Sequence, residues 1–176
     1  PGDLLTDLCR AAENELVLVA PFIKVRTLEK LLAVASPEVQ VKCVTRWRLD
    51  EIAAGVSDLD VWLLLRDRPN TSMWLRADLH AKFYRAEKAC LIGSANLTDA
   101  ALGWSRQPNL ELLINSPRQE QLRVFEEELF AGSSRVEESI YQQTRIALEN
   151  FVAHQVAKPS TDMQPAVEYP TGEAIA

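Results

Sequence analysis

Short apolar runs alternate along the chain with segments whose apolar residues recur at helical spacing. Residues 4–12 place leucine and alanine at such intervals, which predicts a helix with Asn14 suited to its end. Residues 15–22 form a strand-length apolar run closed by Pro21, and 39–46 alternate apolar and polar positions as a strand does. Between them 27–35 reads as a helix. A short helix over 49–54 is closed by Gly55, and Ser57 suits the N-cap of a further helix through Leu65. After the break at Pro69-Asn70 come strands at about 72–77, 79–85 and 89–93, a helical turn at 97–103 and a strand at 110–114. Ser116-Pro117 with Gln119, and Ser134 with Glu137, read as capping boxes opening two last helices. The second helix carries an apolar stripe of Val136, Ile140, Ala147 and Phe151, which must cover the sheet domain or a partner subunit.

Strands alternating with helices predict an α/β sandwich, its sheet mixed because 79–93 reads as a hairpin. The division that follows is a main domain over 1–132, a packing or partner-binding helix over 133–157, and a tail or linker over 158–176, where Pro, Ser, Thr and Glu dominate. No internal repeat is visible.

Composition narrows the class. The net charge of −6 is uneven: residues 1–116 hold 14 Lys and Arg against 15 Asp and Glu, whereas 117–176 hold 5 against 10. No strongly basic footprint exists, so tight DNA binding by this domain alone is not expected. No apolar run approaches the roughly 20 residues of a membrane span, and Pro1-Gly2-Asp3 opens no basic-then-apolar leader. A cytoplasmic protein without a membrane partner is the expectation. Cys9, Cys43 and Cys90 sit among apolar neighbours without metal-like spacing and read as buried, reduced thiols.

Chemistry concentrates in Leu79-His80-Ala81-Lys82-Phe83-Tyr84, Gly93-Ser94-Ala95-Asn96-Leu97-Thr98 and Asn109-Leu110-Glu111. In a strand, residues two apart share a face about 7 Å from each other, so His80 and Lys82 would hold a phosphate between them. Backbone amides at Gly93-Ser94, with the Ser94 and Asn96 side chains, would make an oxyanion-binding corner. Glu111 interrupts an apolar segment, where burial is costly without a partner; a histidine that must be oriented is a suitable one. Arg46 reads either as a substrate contact or as the partner of Asp50 or Glu51. The four tryptophans read as core or interface residues, and His154 stands without company.

These segments resemble the phospholipase D superfamily motif: His-x-Lys, four residues, Asp, six residues, Gly-Ser-x-Asn. His80, Lys82, Gly93, Ser94 and Asn96 match it residue by residue. The stretch LHAKFY–GSANLT, with Thr45-Arg46-Trp47 and residues 55–59, is especially similar to the nuclease-like branch of bacterial restriction and defence proteins. Two departures stand out. Glu87 occupies the Asp position with five residues before Gly93, and the motif occurs once where the family's active site uses two.

The resemblance implies a metal-independent phosphodiesterase without cofactor, a nuclease of a defence or restriction system that acts through a phosphohistidine on His80. It further implies Lys82 and Asn96 as phosphate ligands with Gly93 and Ser94, Glu111 as the group orienting the imidazole, and a homodimer about the motif two-fold. Nucleic acid is the expected partner, DNA ahead of RNA, with other defence-system subunits besides. The alternatives are a phospholipid phosphodiesterase or transferase of the same superfamily, and a catalytically silent scaffold subunit.

Overall fold

Strand β1 (Glu15–Val19) is buried along both faces because its leucines and valines alternate between two cores. Leu16 and Leu18 enter one apolar cluster, and Val17 and Val19 enter the other. The computed structural model describes residues 1–157, so the tail read over 158–176 lies outside the described residues. Around β1 the chain forms helix α1 (Gly2–Ala11), α2 (Val25–Leu32), β2 (Gln40–Thr45), α3 (Leu49–Ala53), α4 (Val61–Arg66), β3 (Thr71–Leu75), β4 (Phe83–Ala86), β5 (Ala89–Gly93), β6 (Leu113–Pro117), α5 (Glu120–Ala131), β7 (Ser134–Arg135) and α6 (Glu138–Ala157). The strands make one seven-stranded mixed sheet in the order β6-β5-β4-β1-β2-β3-β7, with β1, β2 and β3 parallel and the other pairings antiparallel. The expected α/β sandwich with a mixed sheet is therefore what the chain adopts.

One face of the sheet is covered by helices that include α1, α2 and α4, whose Leu5, Leu28, Leu31 and Trp62 join Leu16, Leu18, Val41 and Cys43. The other is covered by α5, where Phe125 meets Phe83 edge-on with centroids 5.5 Å apart. Helix α6 lays Ile140 and Tyr141 against the first cluster, and Tyr141 stacks on Trp62 at 4.9 Å. The three cysteines are buried and unpaired, as their apolar settings imply.

Several local readings are corrected by partners distant in sequence. Ser57 does not cap α4: its hydroxyl is buried against the backbone of Ile23, while the neighbouring Asp58 accepts the Val25 N–H at 2.9 Å and so caps α2. Pro117 ends β6 instead of opening a helix, and α5 starts at Glu120. Ser134 and Arg135 form β7 against β3, so the second capping box is a strand. The strand read over 79–85 begins only at Phe83, which leaves His80 and Lys82 on the extended segment leading into β4. The strand read over 110–114 is β6, three residues later, and Glu111 precedes it.

Candidate active site

Strand registers alone gather the three motif segments. Val19 pairs with Phe83, Phe83 with Ile92, and Gly93 with Leu113. The start of β4, the end of β5 and the start of β6 therefore lie at the sheet edge where the parallel strands β1 and β2 finish. Carboxyl ends of parallel strands, next to the point where the chain changes direction across the sheet, are where open α/β sheets commonly place ligands. Gly93 is needed there. A side chain on it would meet the Leu112 carbonyl oxygen at 1.9 Å, and without one the Ser94 N–H bonds that carbonyl at 2.9 Å.

His80 is exposed, and its imidazole makes no hydrogen bond among the described residues. Its backbone is fixed on both sides. Leu79 is buried beneath α5, and its carbonyl accepts Arg46 Nη1 at 2.9 Å, while the His80 carbonyl accepts Lys82 Nζ at 2.9 Å. Arg46 is held in turn by Glu51 at 3.1 and 2.5 Å, which settles its partner as Glu51. Burial pushes the Lys82 ammonium below the usual lysine range, opposed by the Glu111 carboxylate and assisted by the Arg46 charge.

Ser94 donates its hydroxyl proton to Glu111 and accepts the Leu112 N–H at 3.0 Å. Asn109 Nδ2 donates to the other Glu111 oxygen at 3.2 Å. The carboxylate expected to orient His80 is bonded to Ser94 and Asn109, and no His80–Glu111 hydrogen bond occurs among the described residues. Asn96 sits between two tethers. The Ala95 carbonyl accepts the buried Tyr84 hydroxyl at 2.6 Å, and Leu97 exchanges backbone bonds with Phe22 and Lys24. The Asn96 Oδ1 is buried without a hydrogen-bond partner among the described residues.

Glu87 lies at the far end of the β4–β5 hairpin with φ of 48°. One of its oxygens accepts the N–H groups of Glu13, Asn14 and Glu15 at 3.2, 2.7 and 2.9 Å, which ties the hairpin tip to the start of β1. It takes no part in the His80 cluster. No group of three or more His, Cys, Asp or Glu side chains able to hold a metal ion occurs among the described residues. No helix among them is long and apolar enough to cross a membrane.

The supports that sequence reasoning missed are Arg46 as the clamp on Leu79 and Tyr84 as the clamp on Ala95. A fully buried tyrosine must find an acceptor, and that was the available signal for the second.

An exposed imidazole, an ammonium and a side-chain amide brought to one end of the sheet are a set able to bind an anion and attack it. No family model matches the chain, and no curated protein matches it. Solved structures do. Nuc, a phospholipase D family member from Salmonella typhimurium, aligns with a TM-score of 0.59 and 15% identity over 77% of this chain and 90% of that one. NucT from Helicobacter pylori aligns at 0.55 and 16% over 74% and 87%. Phosphatidylserine synthase from Haemophilus influenzae Rd KW20 aligns at 0.51 and 13%, over 87% of this chain and 42% of that one. At such identities the likeness is one of architecture, and on it the chain has the fold of the phospholipase D superfamily.

Proposed function

We propose that the chain is a metal-independent phosphodiesterase that cleaves nucleic acid in a defence or restriction setting, DNA ahead of RNA. The observation carrying this reading is the exposed His80 imidazole, unpaired among the described residues, at the same end of the sheet as Lys82, Ser94 and Asn96. The resemblance of LHAKFY–GSANLT to restriction and defence proteins supports the setting. Residues 1–132 are the catalytic unit in this reading, with 133–157 packed on it.

The reaction is a double displacement. A His80 nitrogen forms a bond to phosphorus while the bond to the leaving oxygen breaks, and a second His80 protonates that oxygen. The second imidazole then takes a proton from water, whose oxygen attacks phosphorus, breaks the P–N bond and restores both histidines. Lys82 and Asn96 offset charge on the non-bridging oxygens. The corner expected at Gly93-Ser94 is spent internally: the Gly93 and Ser94 N–H groups bond the Lys82 and Leu112 carbonyls, and Glu111 accepts the Ser94 hydroxyl.

One chain supplies one His80, so the second comes from another copy. Leu110, Leu112 and Ile114 are all exposed, and alternate positions of an extended segment share a face. This apolar strip borders the motif cluster and is the surface we assign to the two-fold contact.

The test incubates the protein with single-stranded DNA, duplex DNA, RNA, phosphatidylglycerol vesicles and bis(p-nitrophenyl) phosphate, all in EDTA. Nucleic-acid cleavage by wild type, lost in His80→Ala with an unchanged circular dichroism spectrum, is the expected result. Activity that survives His80→Ala, or that needs added Mg²⁺, sinks the mechanism. Turnover of vesicles alone would transfer the reading to phospholipids.

A further inference from the structure

A groove of about 600 Å³ opens beside the motif residues, a size typical of small-ligand sites. Two of its lining residues belong to the cluster already described. Asn96 closes the Gly-Ser-x-Asn motif, and Asn109 donates to Glu111 at 3.2 Å. The rest of the wall includes Phe22 from the loop after β1, Val56 from the loop after α3, and Ser105. Neither the phosphate chemistry nor the hydrophobic cores account for these three together.

Two residues of this wall, Asn96 and Ser105, each hold a buried side-chain oxygen that lacks a hydrogen-bond partner among the described residues. Buried polar groups nearly always find one. Beside them stand apolar surfaces suited to a flat ring. Phe22 supplies an aromatic surface and already carries the Arg46 guanidinium 5.3 Å from its ring centroid. The carboxylate in the wall, Asp99, is matched by the Thr27 hydroxyl at 3.0 Å and by Lys30 at 3.4 Å. A planar ligand with donors on its edge answers both the stacking surface and the unpaired acceptor.

We propose that the groove holds the base of a nucleotide adjoining the scissile phosphate. The base lies against Phe22 and Val56, with its hydrogen-bonding edge toward Asn96 and Ser105, whose side chains turn outward to meet it. The proposal rests on the phosphodiesterase reading above and deepens it. The Asn96 amide serves both neighbours, its nitrogen toward the phosphate and its oxygen toward the base. A base held this way is out of the helical stack, so the substrate is single-stranded or has that nucleotide extruded.

The test measures binding apart from chemistry. Anisotropy of a labelled single-stranded oligonucleotide is followed with His80→Ala protein in EDTA, against an abasic oligonucleotide of equal length and charge. The intact strand should bind at least about tenfold more tightly, within the range expected for stacking one base on an aromatic ring. Val56→Trp, which fills the groove from an exposed loop, should weaken the intact strand by a similar factor and erase the difference between the two strands. Equal binding of intact and abasic strands by His80→Ala protein overturns the proposal, and that comparison needs no groove variant to fold. Undiminished binding by folded Val56→Trp overturns it too. Hydrolysis of bis(p-nitrophenyl) phosphate by wild type is scored separately. Hydrolysis together with base-blind binding removes the groove and leaves the phosphodiesterase; base-dependent binding without hydrolysis does the reverse.

Discussion

Arg85 follows a fully buried tyrosine in β4 and would sit on a solvent face if the sheet were covered on one side only. Its side chain is 2% exposed beneath α5, bonded to Glu126 at 2.9 and 2.7 Å and to Glu15. Removing one partner of a buried pair leaves a charge without compensation. Glu126→Ala should therefore cost about 3 kcal/mol in urea unfolding; a loss under about 1 kcal/mol would mean that water replaces the carboxylate. Glu15 adds a pH dependence. Burial raises its pKa, but the bonds to Lys42 and Arg85 outweigh that and hold it below the usual carboxyl range. The stabilisation is thus present above the unfolded value and lost as pH falls through the lowered one. Urea midpoints between pH 6 and 3 should drop less steeply in Glu15→Gln than in wild type. Burial likewise pushes Cys9 and Cys43 up to about 12 and raises Cys90. Native protein should leave Ellman's reagent unreacted at pH 8, and all three thiols should react in urea. At this scale the motif residues were legible because they are chemically distinctive and closely spaced. Arg46 was not, because the carbonyl it holds lies 33 positions away.

Elements were legible where one periodicity ruled. The alternation of β1 and β2 and the helical spacing of α1 and α2 read directly, because each buries a continuous face. The helix starts at 116 and 134 misled because a serine followed by an acid or amide three residues later satisfies a local rule, whereas sheet pairing to β5 and β3 decides those residues. β6 was misplaced because its lead-in is as apolar as a strand yet exposed. Helix α6 is likewise uneven: Tyr141 is buried, stacked on Trp62 and bonded to Asp60 at 2.8 Å, whereas Ile146 is exposed. Tyr141→Ala should cost about 3 kcal/mol of stability, in line with large aromatic truncations. Ile146→Ala should stay within about 0.5 kcal/mol, as surface changes do. Equal effects in calorimetry would mean that the outer face of α6 is covered in solution.

For the whole molecule, the proposed chemistry requires two copies, so catalytic and assembly behaviour must move together. Sedimentation at micromolar concentration should give a dimer, and Leu112→Asp should give inactive monomers. Wild type mixed with His80→Ala should yield heterodimers that stall as phosphohistidine or do nothing; fully active heterodimers, or active monomers, would contradict the shared site. The two margins of the sheet bear on the same question. On one side it closes with β7, two residues long and followed at once by a helix. On the other it ends with β6, whose outer N–H and C=O groups have no neighbouring strand among the described residues and whose Ile114 is exposed. A lone subunit therefore presents a template for strand addition by any extended peptide, the usual origin of amorphous precipitate and fibrils. Colloidal lifetime should consequently lengthen as protein is concentrated into dimers, opposite to the usual trend, and a lysine at position 114 should protect dilute samples.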